Sequence, residues 1–319
     1  VLKIRGEKGT KVVLTIQRDS LKEPIDIEII RDDIPIETVY ATMYERKNKK
    51  IGVIEITSFS HGVAKRFEEE LKALEKEGMD ALIIDVRGNP GGLLDSVQDI
   101  SKLIIPEGKP IVQIENRDGE KMRYFSNLKE KKPYPIIGLI DNGSASASEI
   151  LAAALKEAGG YDLVGETTFG KGTVQQTFKL GDGSEIKISL YRWLTPDGNF
   201  IHKQGVKPTV EVSQPEYFYL PPINVDEPLK ADMSSEQVRN AQLMLRGLGL
   251  EPGRVDGYFN EQTKNAVIAF QKQHNLQATG VIDEDTARVL HEQVIQLIRS
   301  KEHDRQLQTA IELAVEQSK

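Results

Sequence analysis

Residues 33–222 alternate short, unbroken apolar runs with stretches that carry apolar residues at helical spacing, and few architectures accept that alternation. The runs are "KIGVIEITSF", "DALIIDVRG" and "PIIGLID". Between and after them, "GVAKRFEEELKALEKEG" puts Val63, Phe67, Leu71 and Leu74 on one stripe before Gly78, and "GLLDSVQDISKLII" and "SEILAAALKEAGG" are further helical patterns. A strand that is apolar throughout is buried on both faces, which requires helices above and below it. The fold class is therefore α/β with a largely parallel sheet and β-rich additions. One addition is a hairpin, "VQQTFKLGDGSEIKISLYRWLT", turning at "GDG".

The flanks read differently. Residues 1–32 suggest a helix end at Gly6 and two strands of period two, "TKVVLTIQR" and "IDIEIIR", too little for an independent domain. Residues 214–233 hold four prolines without periodicity and read as a linker. From Ser234 short helices return, with Val238, Ala241, Leu245 and Leu248 on one stripe and Ala266, Val267 and Phe270 on another. Residues 291–319 carry Val294, Leu297, Ile298, Leu307, Ile311 and Ala314, apolar stripes that suggest a packing surface and a homodimer. No tandem repeat is read.

Composition removes several functions. A formal net charge of -7 over 319 residues argues against a nucleic-acid binder. The lack of cysteine excludes disulfides, thiolate nucleophiles and zinc–thiolate sites. No run approaches the roughly 18 apolar residues of a membrane helix. Val1 is not a natural start, which leaves room for an export segment upstream.

Three hydroxyls alternate with alanines in "DNGSASASEI", at the carboxyl end of an apolar run, where α/β sheets build their sites. Ser146 with Glu149 three residues on is the pattern of a helix capping box. Ser146 is also a candidate nucleophile, and a serine then needs a base. His61, His202, His274, His291 and His303 are the only histidines, and none has a triad-like setting. Lysine is the other option. Lys171 lies between two glycines in "TTFGKGTVQQ"; burial in an apolar pocket would favour its neutral amine. Gln175 is near enough to orient that amine without adding charge. Taken alone, "GKG" is a solvated turn.

Together these segments resemble the carboxy-terminal processing (tail-specific) serine proteases. "GSASASEI" is similar to their nucleophile motif, "GETTFGKGTVQ" to their base motif, and "LIIDVRGNPGG" to the segment that helps build their oxyanion hole. The resemblance, over most of residues 1–212, implies a serine endopeptidase in which Ser146 is nucleophile, Lys171 general base and Gln175 its positioning residue. It implies oxyanion donors at Ala147 and at Gly92, preferred over Gly91, with neither metal nor cofactor. The domains expected are 1–32, 33–213 (protease core), 214–233, 234–290 and 291–319.

Residues 1–32 resemble the last third of a PDZ domain, which in this family selects substrates by their free carboxyl termini and gates the protease; the resemblance implies such regulation, with Arg5 as a candidate sensor, but not peptide capture by this segment, whose sequence lacks the groove's first strand and carboxylate loop. Residues 234–290 resemble the small helical peptidoglycan-binding domain, through "RVDGYFNEQTKNAVIAFQ" and "TGVIDEDT". That pairing suggests an exported, cell-envelope or intermembrane enzyme of the sporulation-linked Bacillus type, acting on proteins and with peptidoglycan as a candidate partner. The rival readings are a non-catalytic scaffold with an inert core, and a latent enzyme whose catalytic groups stay apart until a peptide arrives.

Overall fold

The unbroken apolar runs become the centre of a six-stranded sheet. A computed structural model describes residues 3–18, 23–32 and 37–318. Two compact units divide between Thr38 and Val39, and each is described by itself.

In the first unit, strands β1 (Lys11–Ile16) and β2 (Ile25–Ile30) pair antiparallel, with Lys11 opposite Ile30 and Ile16 opposite Ile25. The Arg31 guanidinium ties the preceding segment to this ribbon, donating to the Ile4 carbonyl at 2.8 Å and to Thr10 Oγ1 at 2.9 Å. Lys3 and Ile4 form a turn where a helix end was expected, and Arg5 follows it in irregular backbone. Val1 and Leu2 lie outside the described residues, as do residues 33–36, where the protease-like block was expected to begin.

The second unit opens with the hairpin of β3 (Val39–Arg46) and β4 (Lys49–Ile56). Its two turn residues, Lys47 and Asn48, sit at φ 49 and 61, the left-handed conformation that a tight two-residue hairpin requires. Helix α1 (Val63–Lys76) follows, burying Val63, Phe67, Leu71 and Leu74, then β5 (Ala81–Asp85), α2 (Leu94–Ile104), β6 (Pro110–Glu115), β7 (Lys121–Phe125) and β8 (Ile136–Ile140). Helix α3 (Ala147–Ala153) runs on through a π turn to Ala158 and leads to β9 (Asp162–Gly165). The hairpin β10 (Thr173–Lys179) and β11 (Glu185–Leu194) and the short β12 (Val210–Glu211) complete the strands.

The main sheet has the order β12-β9-β8-β5-β4-β3, parallel except for β3. A second, antiparallel sheet runs β10-β11-β6-β7. Side chains alternate across the main sheet. Leu82 and Ile84 face the core that holds α1, α2 and α3, and Ile51, Val53, Ile83, Ile137, Leu139 and Val164 face the opposite side.

The C-terminal third is made of α4 (Glu236–Gly247), α5 (Glu261–Gln273), α6 (Glu284–Arg299) and α7 (Arg305–Gln317), and three expectations change there. The proline-rich stretch is not a free linker, because Ile223 and Leu229 are buried in the core shared by α4, α5 and α6. The tail stripe is not left for a partner: Leu307, Ala310, Ile311 and Ala314 cover the far face of the main sheet, so the homodimer loses the surface that suggested it. And the helical module does contain a repeat. Buried Gln242 accepts from Gly257 N–H and donates to Thr263 Oγ1, while buried Gln271 accepts from Gly280 N–H and donates to Thr286 Oγ1. Each glycine turn leads to a capping side chain, Asn260 or Asp283. "GYFNEQT" and "GVIDEDT" share only glycine, glutamate and threonine, which is why the repeat is faint in the sequence.

Candidate active site

The site lies where β5 and β8 end. From β8, Asp141 folds its own loop: Oδ1 accepts the N–H groups of Gly143 and Ser144 at 3.0 Å each. The three serines then separate by role. Ser144 and Ser148 are fully buried; Ser144 Oγ donates to the Val86 carbonyl at 2.8 Å, and Ser148 Oγ to the Asn89 carbonyl at 2.9 Å. Ser146 is half-buried and holds φ 56, ψ -112, a conformation that costs a non-glycine residue on the order of 1–3 kcal/mol and needs support from its surroundings.

Glu149 supplies that support. Its carboxylate has no solvent exposure. Oε2 accepts the Ser146 N–H at 2.8 Å, the half of a capping box expected from the sequence, and also the Lys171 N–H at 2.8 Å. Oε1 accepts Thr168 Oγ1 and the Gly170 N–H, both at 2.6 Å. A buried carboxylate is stable when its lone pairs are filled in this way. One side chain thereby holds the turn bearing Ser146 and the loop bearing Lys171. The sequence pattern marks Glu149 only as a capping residue; its reach to residues 168–171 depends on tertiary contacts.

The loop bearing Lys171 has further anchors. Phe169 N–H donates to the Ser144 carbonyl at 3.0 Å, and Trp193 Nε1 to the Lys171 carbonyl at 2.8 Å. Ser146, Ala147, Gly92, Lys171 and Gln175 line one cleft of about 440 Å³. Its remaining walls include Leu93, Leu94, Ile150, Val174 and Trp193, suited to an apolar side chain. A β-bulge between Val174 and Gln175 shifts the register there. Lys171 is half-buried and Gln175 exposed, not the dry enclosure expected for the amine, because the outer part of the β10–β11 hairpin stands in solvent. The Lys171 amine and the Gln175 amide have no hydrogen-bond or ionic partner among the described residues. Arg5 belongs to the first unit.

The glycine pair divides its work. Asn89, fully buried, donates to the Ile56 carbonyl at 2.7 Å and accepts the Gly91 N–H at 2.8 Å. Gly91 N–H is thus occupied. The N–H groups of Gly92 and Ala147 have no acceptor among the described residues, and both residues line the cleft beside Ser146. Two unpaired N–H groups beside a hydroxyl can receive an oxygen that gains negative charge. A larger cavity of about 670 Å³, between residues 214–217, α4 and the α6–α7 connection, contains none of the candidate residues.

Residues 50–212 match the model of "Peptidase family S41", and residues 234–290 that of "Putative peptidoglycan binding domain". The chain is 51% identical over 311 residues to carboxy-terminal processing protease CtpB of Bacillus subtilis and 42% identical over 310 residues to CtpA of the same organism, covering 98% and 97% of this chain and 65% of each relative. It therefore spans about two thirds of the length of those relatives. Among solved structures, the photosystem II D1 C-terminal processing protease aligns with a TM-score of 0.52 and 27% identity, over 65% of this chain and 57% of that one.

Proposed function

The chain belongs to peptidase family S41, and from that premise we propose that it is a serine endopeptidase working with a Ser–Lys dyad on protein substrates with free carboxyl termini. Ser146 Oγ attacks the scissile carbonyl carbon while Lys171 Nζ accepts its proton, with Gln175 orienting the amine. The N–H groups of Gly92 and Ala147 receive the oxyanion. The tetrahedral intermediate collapses to an acyl-enzyme as the leaving amine takes that proton, and water then releases the acyl group. A peptide lying in the cleft covers Lys171, and desolvation favours an uncharged amine.

One observation carries this reading: a single cleft lined by Ser146, Lys171, Gln175 and two backbone N–H groups free to donate to an oxyanion. A serine-directed acylating probe tests it. Adduct on Ser146 in the wild type and none in Lys171→Ala is the expected result; no adduct in either, with or without peptide, would leave an inert scaffold. The unpartnered Lys171 amine favours a second reading, a latent form that peptide activates, in which labelling accelerates when substrate tails are added.

The peptidoglycan-binding-like module supports cell-wall binding, and its pairing with the protease supports an extracytoplasmic location and processing during sporulation. PDZ-type regulation through residues 1–32 and Arg5 belongs to the same proposal.

A further inference from the structure

We propose that Asp304, the residue that caps α7 more than 200 positions from the glycine pair, is a positioning residue of the catalytic centre. Through Arg87 it sets the segment that presents Gly92 N–H to the cleft. The proposal rests on the peptidase reading for its kinetic consequence, not for its structural one.

Arg87 follows β5 and begins the segment that ends at Gly92. Its side chain is 14% exposed, and two carboxylates share it. Nε and Nη2 donate to Asp85 at 2.9 and 2.6 Å. Nη1 and Nη2 donate to Oδ1 and Oδ2 of Asp304 at 2.8 Å each, and Nη1 also to Gln306 Oε1 at 3.0 Å. Asp304 is itself fixed, accepting Gln214 Nε2 at 2.5 Å and the Leu307 N–H at 2.9 Å. Both acidic partners hold Arg87 protonated, well above its usual range in spite of burial.

From Arg87 the chain of contacts reaches the nucleophile. The Gly88 N–H donates to Asp141 Oδ1 at 2.8 Å. The Asn89 carbonyl accepts the Ala145 N–H at 3.0 Å and Ser148 Oγ at 2.9 Å. Asn89 Oδ1 takes the Gly91 N–H, leaving Gly92 to face the cleft. With Asp304 lost, Nη1 keeps only a neutral amide partner in a buried setting. A buried cation deprived of a carboxylate moves toward water or another acceptor, and the backbone of 86–89 moves with it. Small displacements of this kind near a reacting group are costly.

Asp304→Asn in the full chain separates this role from helix capping, because asparagine caps as well as aspartate but carries no charge for Arg87. We expect faster amide exchange across residues 88–92 and Ser146 labelling slowed by roughly 10- to 100-fold, with peptide KM little changed. Ile311→Ala is the control: it opens a cavity between α7 and the sheet two turns beyond Asp304, touches neither Asp304 nor Arg87, and should lower the melting temperature while leaving the labelling rate intact. Wild-type exchange across 88–92 in Asp304→Asn would overturn the proposal, as would equal slowing by Ile311→Ala at matched stability. Failure of the wild type to label overturns the peptidase reading instead, and the exchange measurement still decides the role of Asp304.

Discussion

The backbone N–H groups of Ser146 and Lys171 donate to the same oxygen, Oε2 of Glu149, each at 2.8 Å. Two residues 25 positions apart in sequence, Ser146 and Lys171, are thereby held in register by one acceptor, independently of any contact between their side chains. Their backbones are fixed while the Lys171 amine has no hydrogen-bond or ionic partner among the described residues.

Replacing Glu149 should damage stability and chemistry together. In Glu149→Ala four donors lose a buried acceptor, a change expected to cost about 2–5 kcal/mol. Glu149→Gln should be almost as harmful, because Oε1 and Oε2 each receive donors and the amide NH2 must face one of these pairs. Denaturant unfolding and acyl-probe labelling of Ser146 measure the two effects. A stable, fully labelled Glu149→Gln would show that the shared oxygen is dispensable.

Much of this was legible in the sequence for definite reasons. Ala81–Asp85 and Ile136–Ile140 are buried at every position, so their strands appear as unbroken apolar runs. The Val63, Phe67, Leu71 and Leu74 stripe marks α1 because one face alone is covered. What was not legible depends on partners far away in sequence. Glu149 shows its local bond to Ser146 as a capping pattern, but nothing in the sequence marks the bonds to Thr168 and Gly170. Leu307, Ile311 and Ala314 display an apolar stripe without saying that the sheet of the same chain covers it. Ile223 and Leu229 sit among prolines that hide their place in the helical core.

The glycine pair should tolerate no side chain. At Gly91, φ is +102 and an added Cβ would stand 2.6 Å from the Ala145 carbonyl oxygen, 2.8 Å from Ser146 Cβ and 2.9 Å from Ala147 N. At Gly92, φ is +149 and the Cβ would stand 2.2 Å from the Phe59 carbonyl oxygen. Both alanine variants should lose on the order of 1–3 kcal/mol through strain alone. Gly91→Ala, pressing on the turn that bears Ser146, should also abolish Ser146 labelling under conditions where it remains folded by circular dichroism. Retention of wild-type labelling would mean that this turn can shift without penalty.

Helix α7 should behave as part of the peptidase core. Ile311 is 1% exposed and packs against the far face of the main sheet. Ile311→Ala should destabilise by about 2–5 kcal/mol, the usual range for such a buried truncation. Equilibrium unfolding monitored at Trp193, buried in the opposite core, reads whether that loss reaches the whole second unit. A loss confined to α7, with the Trp193 transition unmoved, would instead make the helix an independent appendage.

The Arg87–Asp304 pair predicts how stability falls in acid. Burial works against the charged Asp304 carboxylate, but the bidentate bond and the charge of Arg87 outweigh it, so the group titrates below its ordinary value of 3.8. A carboxyl whose folded value is depressed stabilises the fold above its unfolded value and loses that contribution as pH falls through the folded one. The contribution is therefore constant near neutrality and declines only below about pH 4. Comparing Asp304→Asn with the wild type isolates it, since the variant keeps the cap and has no carboxyl to titrate at that position. The gap in unfolding free energy between the two should be flat from neutrality to about pH 5 and narrow on further acidification. A gap that widened in acid, or closed at neutral pH, would mean that Arg87 does not hold this carboxylate in its charged form.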